Sequence, residues 1–167
     1  MAMQSLSTDD CMDEVIDRYS NMVYRLALAQ MKNVQDAEDV FQEVFIRYIS
    51  KPRTFESEEH RKAWLLRVTI NRSRSAWRAW FRNKTEPLDH TLTAEPEIKQ
   101  DLSEYLSLLP QKYRSVIHLF YYEELSVKQI SEILDAKEST VRTWLTRARA
   151  MLGEKLNGGF LNEQGYL

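Results

Sequence analysis

The sequence predicts an all-α protein made of two small helical domains joined by a flexible linker. Apolar residues recur every three or four positions over most of the 167-residue chain, which is the spacing of one helix face. Alternation of apolar and polar residues, the pattern of a half-buried strand, never extends beyond about four residues. The chain also holds only four glycines and four prolines, too few for a turn-rich β fold.

The composition indicates an ordered protein of a reducing compartment. Apolar residues make up 43% of the chain and charged residues 29%, which argues against wholesale disorder. No run of about 18 apolar residues is present, so we expect no membrane insertion. The first ten residues lack the basic and apolar segments of a secretion signal, and the single cysteine, Cys11, cannot form an internal disulfide. We therefore expect a cytoplasmic protein.

Residues 8–82 are predicted to form the first module. Its first helix is expected to begin after Thr8, where acidic residues favour the positive end of a helix. A second helix is predicted over residues 36–50, with an apolar stripe on one side and polar residues on the other. It is expected to end before Pro52, because the residue preceding a proline avoids helical backbone angles.

The rest of the first module is strongly cationic. A third helix is predicted from the N-cap Ser57 and a fourth over residues 72–82. Residues 61–84 hold eight basic side chains and no acidic one, although the formal net charge of the chain is −2. Four aromatic rings lie in the same segment: Trp64, Trp77, Trp80 and Phe81. Cations interleaved with rings suit single-stranded nucleic acid, because phosphates bind cations and bases stack on rings. The alternative is an aromatic core beneath a solvated basic surface.

The prolines of residues 83–96, and the lack of a helical stripe there, predict an exposed linker. A second helical module is predicted over residues 97–156. The last segment, residues 157–167, begins with two adjacent glycines after Asn157 and is either a frayed tail or a docking segment.

The second module contains the pattern of a helix-turn-helix. Ser126 and Gln129 form a capping box at the start of a short amphipathic helix. Residues 135–138 then form a turn of the length expected between crossed helices, and Ser139 is a predicted second N-cap. In such motifs the second helix enters the major groove of DNA, where arginine can bind guanine through two hydrogen bonds. The alternative is an ordinary helical hairpin with a basic surface.

Three segments of the two modules, in order along the chain, resemble bacterial sigma factors of the extracytoplasmic-function branch. DAEDVFQEVFIRYI (36–49) is similar to the family helix that docks on RNA polymerase. AWLLRVTINRSRSAWR (63–78) is similar to the segment that opens the downstream (−10) promoter element. LSVKQISEILDAKESTVRTWLTRARAMLGEKL (125–156) resembles the helix-turn-helix that binds the upstream (−35) element.

The resemblance implies a role for three sets of residues. Polar residues of the second helix are expected to bind core RNA polymerase: Asp36, Asp39, Gln42, Glu43 and Arg47. Residues of the cationic segment, with one phenylalanine before it, are expected to bind −10 DNA: Phe55, Asn71, Arg72, Arg74, Arg78, Trp80 and Arg82. Residues of the helix-turn-helix are expected to bind −35 DNA: Ser139, Thr140, Arg142, Thr143, Thr146, Arg147 and Arg149.

The −10 assignment includes a specific mechanism. In the family a loop between the third and fourth helices captures one flipped base, and Asn71 and Phe55 match the positions that assist it. An asparagine amide both donates and accepts hydrogen bonds, which suits a base edge. Phe55 could equally be part of the protein core, and Trp77 is expected to pack.

The implied function is promoter-specific initiation of transcription. The implied partners are core RNA polymerase and promoter DNA, duplex at −35 and single-stranded at −10, with an anti-sigma factor as a further candidate. A stand-alone helix-turn-helix regulator is the alternative, although it leaves residues 36–50 unexplained. We expect no catalytic residue, no cofactor and no metal site, because the three histidines are scattered and no catalytic motif is present.

Overall fold

A computed structural model describes residues 6–7, 12–31, 33–83 and 106–157, with side chains described between residues 12 and 154 of these ranges. The chain divides into two compact units, Met1–Thr93 and Ala94–Leu167, which are described separately. The predicted linker beyond Asn83, the start of the second module up to residue 105 and the C-terminal tail beyond Asn157 lie outside the described residues.

The described part of unit 1 is a bundle of three helices with one minimal strand pair. The helices are α1 (Met12–Gln30), α2 (Val34–Ser50) and α3 (Glu58–Arg82). The strands β1 (Leu6–Ser7) and β2 (Thr54–Phe55) pair antiparallel, with Leu6 opposite Phe55. The all-α prediction is confirmed for the body of the unit, and this pair is the one departure from it among the described residues.

The core of unit 1 lies where the apolar stripes of the three helices meet. Val23 and Leu26 of α1, Val44 of α2 and Leu65 of α3 are fully buried. The helical spacing of the apolar residues predicted these stripes. Ile49, which the same spacing places on the apolar stripe of α2, departs from the prediction, since it is 57% exposed.

Polar caps set the starts of two helices. Asn33 accepts a hydrogen bond from the Asp36 amide at the start of α2, and Ser57 accepts one from the His60 amide at the start of α3. The Ser57 cap was predicted, and α2 ends at Ser50, as expected from Pro52.

The predicted break between a third and a fourth helix is wrong. Residues 58–82 form a single helix, α3, and Asn71 lies in its middle. The hydroxyl of Thr69 donates to the Leu65 carbonyl at 2.7 Å, and that of Ser73 donates to the Thr69 carbonyl at 2.8 Å. Polar side chains that favour a break are therefore satisfied inside the helix. The predicted loop between a third and a fourth helix is therefore absent from residues 58–82. The segment 51–57, which joins α2 to α3, is the loop that precedes α3.

A carboxylate links α1 to the start of α3. Glu58 accepts hydrogen bonds from the hydroxyl of Tyr19 and from Arg61 Nη1, the latter at 2.9 Å. Arg18 Nη1 lies 3.4 Å from Glu58 Oε2. Burial, together with the hydrogen bond to Glu58 and its negative charge, raises the pKa of Tyr19 to about 12. The charge on Arg61, which is 3% exposed, is thereby compensated.

Unit 2 contains the predicted helix-turn-helix. Its described helices are α4 (Gln111–Ile117), α5 (Val127–Leu134) and α6 (Glu138–Asn157), and α4 continues into a π-helical turn over His118–Tyr122. The predicted capping box is confirmed: Ser126 Oγ accepts from the Gln129 amide, and Gln129 Oε1 accepts from the Ser126 amide.

The turn of the motif is shorter than predicted. Asp135 ends α5 in the left-handed conformation, with φ 51° and ψ 51°, which aspartate tolerates better than most residues. Helix α6 already begins at Glu138, so the prediction of Ser139 as its N-cap is wrong. Ser139 lies in the first turn, where its carbonyl accepts from the Thr143 hydroxyl at 2.9 Å.

Candidate functional site

The outer face of α2 carries the polar residues singled out by the sequence. Asp39, Gln42, Glu43 and Arg47 are exposed, and Asp36 is half-buried at the helix start. Asp36 has a local partner, since its carboxylate accepts from Asn33 Nδ2 at 2.7 Å.

Sequence analysis missed two apolar residues on this same face. Ile46 is 61% exposed and Ile49 is 57% exposed. At about 100° per residue, Ile46 lies between Gln42 and Glu43 around the helix axis. The face therefore has an apolar centre and a charged edge, a combination typical of a protein interface. The spacing of the apolar residues placed Ile49 on the core stripe, and Ile46 was assigned neither to that stripe nor to the polar face.

A groove between α1 and α2 adjoins the face. It has a volume of about 370 Å³ and is lined by Ser20, Asn21, Tyr24, Glu38, Phe41 and Gln42. Tyr24 and Phe41 meet edge to face across it, with ring centroids 6.0 Å apart. Gln42 belongs to both the groove and the outer face, so a partner on α2 could contact both.

Phe55 lies in the core and not on the surface. It is 2% exposed, its ring stacks parallel to that of Tyr48 at 6.1 Å, and it meets Trp64 edge to face at 6.0 Å. The alternative that the residue packs in the core is therefore correct, and a base could not contact Phe55 in this conformation.

The exposed side of α3 forms a polar stripe. Asn71, Arg78 and Arg82 are exposed, and they recur at helical spacing with Arg67, which sequence analysis did not assign to the site. Arg82 follows Arg67 by fifteen positions, so the stripe extends about 22 Å at 1.5 Å per residue. The stripe combines an amide with three cations along one line.

Two other predicted arginines of α3 are only half exposed. Arg72 Nη1 lies 3.5 Å from Glu43 Oε2 on α2. Burial, and then the nearby charge of Arg78, lower the pKa of Arg74. The cluster of like charges at Arg74 and Arg78 is a favourable place for a phosphate, which relieves their repulsion.

Three aromatic rings pack together near the end of α3. Trp77 contacts Trp80 at 5.5 Å and Phe81 at 5.6 Å between ring centroids. Trp77 Nε1 also donates to the Gln30 carbonyl at 2.7 Å, so this ring is structural, as expected. Trp80, assigned to the −10 site, is half-buried, whereas Phe81 is 62% exposed.

In unit 2 the outer face of α6 presents the predicted polar residues. Exposed positions on this face are Ser139, Arg142, Thr143, Thr146, Arg147 and Arg149, and Thr140 is half-buried. Arg142 Nη2 pairs with Glu138 at 3.3 Å, an exposed contact that DNA could displace. Val141, Leu145 and Ala148 are buried on the opposite face and fix its orientation.

Arg149 makes a contact that sequence analysis did not predict. Its Nε donates to the Tyr121 hydroxyl at 2.7 Å. The guanidinium carbon also lies 5.5 Å from the Phe120 ring centroid and 5.6 Å from that of Tyr121. The π-helical turn is thereby connected to the exposed face of α6.

Within the described parts of both units, no group of three or more histidine, cysteine, aspartate or glutamate side chains is arranged to hold a metal ion. Over the same residues, no helix is both long and apolar enough to span a membrane.

Comparisons with known proteins agree with the division into two units. The family model described as Sigma-70 region 2 matches residues 15–81, and that described as Sigma-70, region 4 matches residues 99–152. The ECF RNA polymerase sigma factor SigW of Bacillus subtilis is 32% identical, with 88% of this chain and 89% of SigW covered. SigM of the same bacterium is also 32% identical, with 90% of this chain and 98% of SigM covered.

Two solved structures share the fold at lower identity. One is the sigma factor RpoE of Bartonella quintana, in complex with the anti-sigma factor NepR. Its TM-score is 0.67 at 18% identity, and the match covers 87% of this chain and 96% of the RpoE chain. CnrH, in complex with the cytosolic domain of CnrY, has a TM-score of 0.60 at 20% identity and covers 88% of both chains.

Proposed function

The chain belongs to the extracytoplasmic-function group of RNA polymerase sigma factors, and we propose how its exposed faces divide the work of a sigma factor. As a sigma factor it binds core RNA polymerase and directs initiation at specific promoters. The observation that carries the assignment is the order of the matches, with region 2 on the three-helix unit and region 4 on the helix-turn-helix unit. We propose that the chain acts by binding, in the cytoplasm, and leaves the chemistry of RNA synthesis to the polymerase.

The outer face of α2 is the proposed surface for core polymerase. Asp39, Gln42, Glu43 and Arg47 supply charge and hydrogen bonds, and Ile46 supplies apolar area. Charges at the edge of such a contact steer the partner and set its orientation, whereas burial of an exposed isoleucine contributes affinity. Asp36 is proposed to act at the margin of this surface, where it also supports the helix start.

The polar stripe of α3 is the proposed site for melted −10 DNA. Removing a base from the duplex costs a few kcal/mol, which contacts to the extruded base must offset. Asn71 is exposed and can bind a base edge, while Arg78 and Arg82 can bind neighbouring phosphates on the same stripe. Arg72 and Arg74 lie at its margins. Trp80 follows Arg78 by two residues and so lies about 160° from it around the axis; it is proposed to support the site through its packing on Trp77 and Phe81. Phe55 serves this site only indirectly, since its burial against Tyr48 and Trp64 anchors the loop 51–57.

Helix α6 is the proposed reader of −35 DNA. Arg142, Thr143 and Thr146 lie in its first turns, the part of a second helix that enters the major groove. Arg147 and Arg149 extend the same face toward the DNA backbone. Ser139 and Thr140 are proposed to contact phosphates from the first turn, where helix amides also favour an anion.

Run-off transcription with purified core polymerase tests the function. The full chain is added to core enzyme on fragments of genomic DNA, and the transcripts are mapped. We expect RNA from defined start sites only when the chain is present. The alternative, a stand-alone helix-turn-helix regulator, predicts DNA binding without any transcript and without co-purification with core enzyme.

The variant Asn71→Ala tests the division of labour between the two units. We expect slower formation of the open complex and unchanged binding of −35 duplex, since Asn71 lies on unit 1. Ser75→Ala is the matched control, because Ser75 is exposed one turn further along α3 and its hydroxyl donates to the Asn71 carbonyl, at 3.0 Å. Equal loss of opening and duplex binding in Asn71→Ala would contradict the proposal.

An anti-sigma factor is a further proposed partner. Two proteins of the same fold are bound, in their solved structures, to an anti-sigma factor or to a cytosolic domain of another protein. An inhibitor that covered Ile46 and the charges around it would exclude core polymerase. Titrating such a protein against preformed holoenzyme tests this, because competition predicts release of core enzyme and independent binding predicts a ternary complex.

A further inference from the structure

We propose that Tyr121 is a positioning residue for −35 binding, and that it holds Arg149 ready to contact a DNA phosphate. This inference rests on the proposed function of α6. The carrying observation is the hydrogen bond from Arg149 Nε to the Tyr121 hydroxyl, at 2.7 Å, between residues 28 positions apart in the sequence.

The contact fixes the guanidinium and leaves its binding edge available. The bond uses only the Nε–H group, so the N–H groups on the two terminal nitrogens remain for a ligand. The rings of Phe120 and Tyr121 lie 5.5 and 5.6 Å from the guanidinium carbon and attract the cation through their π faces. Arg149 is nevertheless exposed.

The position of Arg149 along α6 favours a phosphate over a base. Arg142, Thr146 and Arg149 follow the spacing of one helix stripe, with Arg149 about 10 Å beyond Arg142 along the axis. Since the first turns of such a helix enter the groove, a residue this far along it reaches the groove edge, where the sugar-phosphate backbone lies. Phosphate contacts set the register of the protein on the duplex.

A π-helical turn supplies the aromatic partner. Phe120 and Tyr121 are consecutive residues within the turn His118–Tyr122, and both contact the same guanidinium. Short π-helical turns occur often at functional sites. Tyr121 is itself 52% exposed, so its hydroxyl is not required for the core of unit 2.

Pre-ordering of a long side chain before binding improves affinity, because less conformational entropy is lost when the complex forms. Loss of the Tyr121 hydroxyl should therefore weaken binding by roughly three- to tenfold. A phosphate contact also predicts that the loss is equal for cognate and scrambled −35 sequences.

The test compares Tyr121→Phe with Tyr122→Phe in the full chain, assembled into holoenzyme. Tyr122 is the matched control, since it is the next residue, is 50% exposed and stacks on His118 instead. The probe is a labelled duplex of a promoter mapped by footprinting, together with a duplex in which its −35 element is scrambled. We expect weaker binding of both duplexes by Tyr121→Phe and wild-type affinity for Tyr122→Phe.

A double-mutant cycle with Arg149→Ala distinguishes positioning from a direct or structural role. We expect Arg149→Ala to reduce the slope of log affinity against log salt by about one, as for the loss of one phosphate contact. Adding Tyr121→Phe to Arg149→Ala should then have no further effect. The proposal is overturned if Tyr121→Phe binds like wild type, or if it weakens binding equally in both backgrounds.

Failure of the proposed function gives a different result. If Arg142→Ala and Arg147→Ala leave duplex affinity unchanged, α6 is not the DNA-binding helix, and both proposals are wrong. If those variants weaken binding and Tyr121→Phe does not, only the positioning role of Tyr121 is wrong.

Discussion

Glu43 of α2 and Arg72 of α3 form an ion pair, with 3.5 Å between Glu43 Oε2 and Arg72 Nη1. One partner belongs to the proposed polymerase face, and the other lies at the margin of the proposed −10 site. The two proposed sites of unit 1 are therefore in direct electrostatic contact. A polymerase group that binds Glu43 would release Arg72 for DNA.

Neutralising Glu43 should separate its role in binding from its role in stability. In Glu43→Gln we expect the free energy of unfolding to change by less than about 1 kcal/mol, because the Glu43 side chain is 56% exposed and solvent screens the pair. Core affinity should fall several-fold, as measured by fluorescence anisotropy of the labelled chain. Glu14→Gln, at an exposed position on α1, is the control. Equal core affinities of the two variants would remove Glu43 from the interface.

The exposed isoleucine of α2 should act as an anchor for core polymerase. Burial of such a side chain contributes about 1.5–3 kcal/mol, so Ile46→Ser should weaken core binding by roughly tenfold or more. Its melting temperature should stay near that of the wild type, because the side chain contacts solvent in the free protein. Ile16→Ser, on the exposed side of α1, provides the comparison. If Ile46→Ser and Ile16→Ser weaken core binding equally, Ile46 is not a specific anchor for the polymerase.

Truncation of two phenylalanines of unit 1 should lower the free energy of unfolding by very different amounts. Phe55→Ala leaves a cavity between Tyr48 and Trp64 and should lower the free energy of unfolding by about 3 kcal/mol. Phe81→Ala removes a ring that is 62% exposed, and about 1 kcal/mol or less is expected. Urea denaturation of the full chain measures both. A small loss for Phe55→Ala would show that this ring is not held in the core.

The contact between Tyr19 and Glu58 should make the free energy of unfolding depend on pH in the alkaline range. The pKa of Tyr19 is about 12 in the folded protein, against an ordinary value of 10.0, so the folded state holds the phenolic proton more tightly. This contribution to stability is complete below about pH 10 and is lost as the pH rises toward 12. Tyr19→Phe should therefore lose stability less steeply over that interval, as measured by urea unfolding at several pH values. If the stability of Tyr19→Phe falls with pH as steeply as that of the wild type, Tyr19 does not contribute to this pH dependence.

Substitution by glycine should stabilise unit 2 at two positions where the backbone is left-handed. Asp135 and Glu124 adopt φ values of 51° and 53°. Aspartate tolerates this conformation better than glutamate, so Glu124→Gly should stabilise more than Asp135→Gly, by up to about 1 kcal/mol. Thermal denaturation compares them. The reverse order would show that the side chain of Glu124 makes a compensating contact.

Local features of the sequence predicted most elements of the fold. The spacing of apolar residues indicated the stripes of α1 and α2, the serines at 57 and 126 indicated two helix starts, and Pro52 indicated where α2 stops. Each depends on residues within one or two helical turns, so the order of amino acids is sufficient. The basic segment and the exposed face of α6 were evident for the same reason.

Tertiary structure decided what depends on distant residues. The rings of Tyr48 and Trp64 make Phe55 a core residue, and the Gln30 carbonyl, 47 residues away, gives Trp77 its hydrogen bond. Ile49 fits the spacing of the buried stripe of α2, yet it is 57% exposed, since no described helix of unit 1 covers it. The pairing of Tyr121 with Arg149 likewise depends on how α6 packs beside the π-helical turn. Burial and side-chain pairing are properties of the packed chain, because they depend on which surfaces the fold brings together.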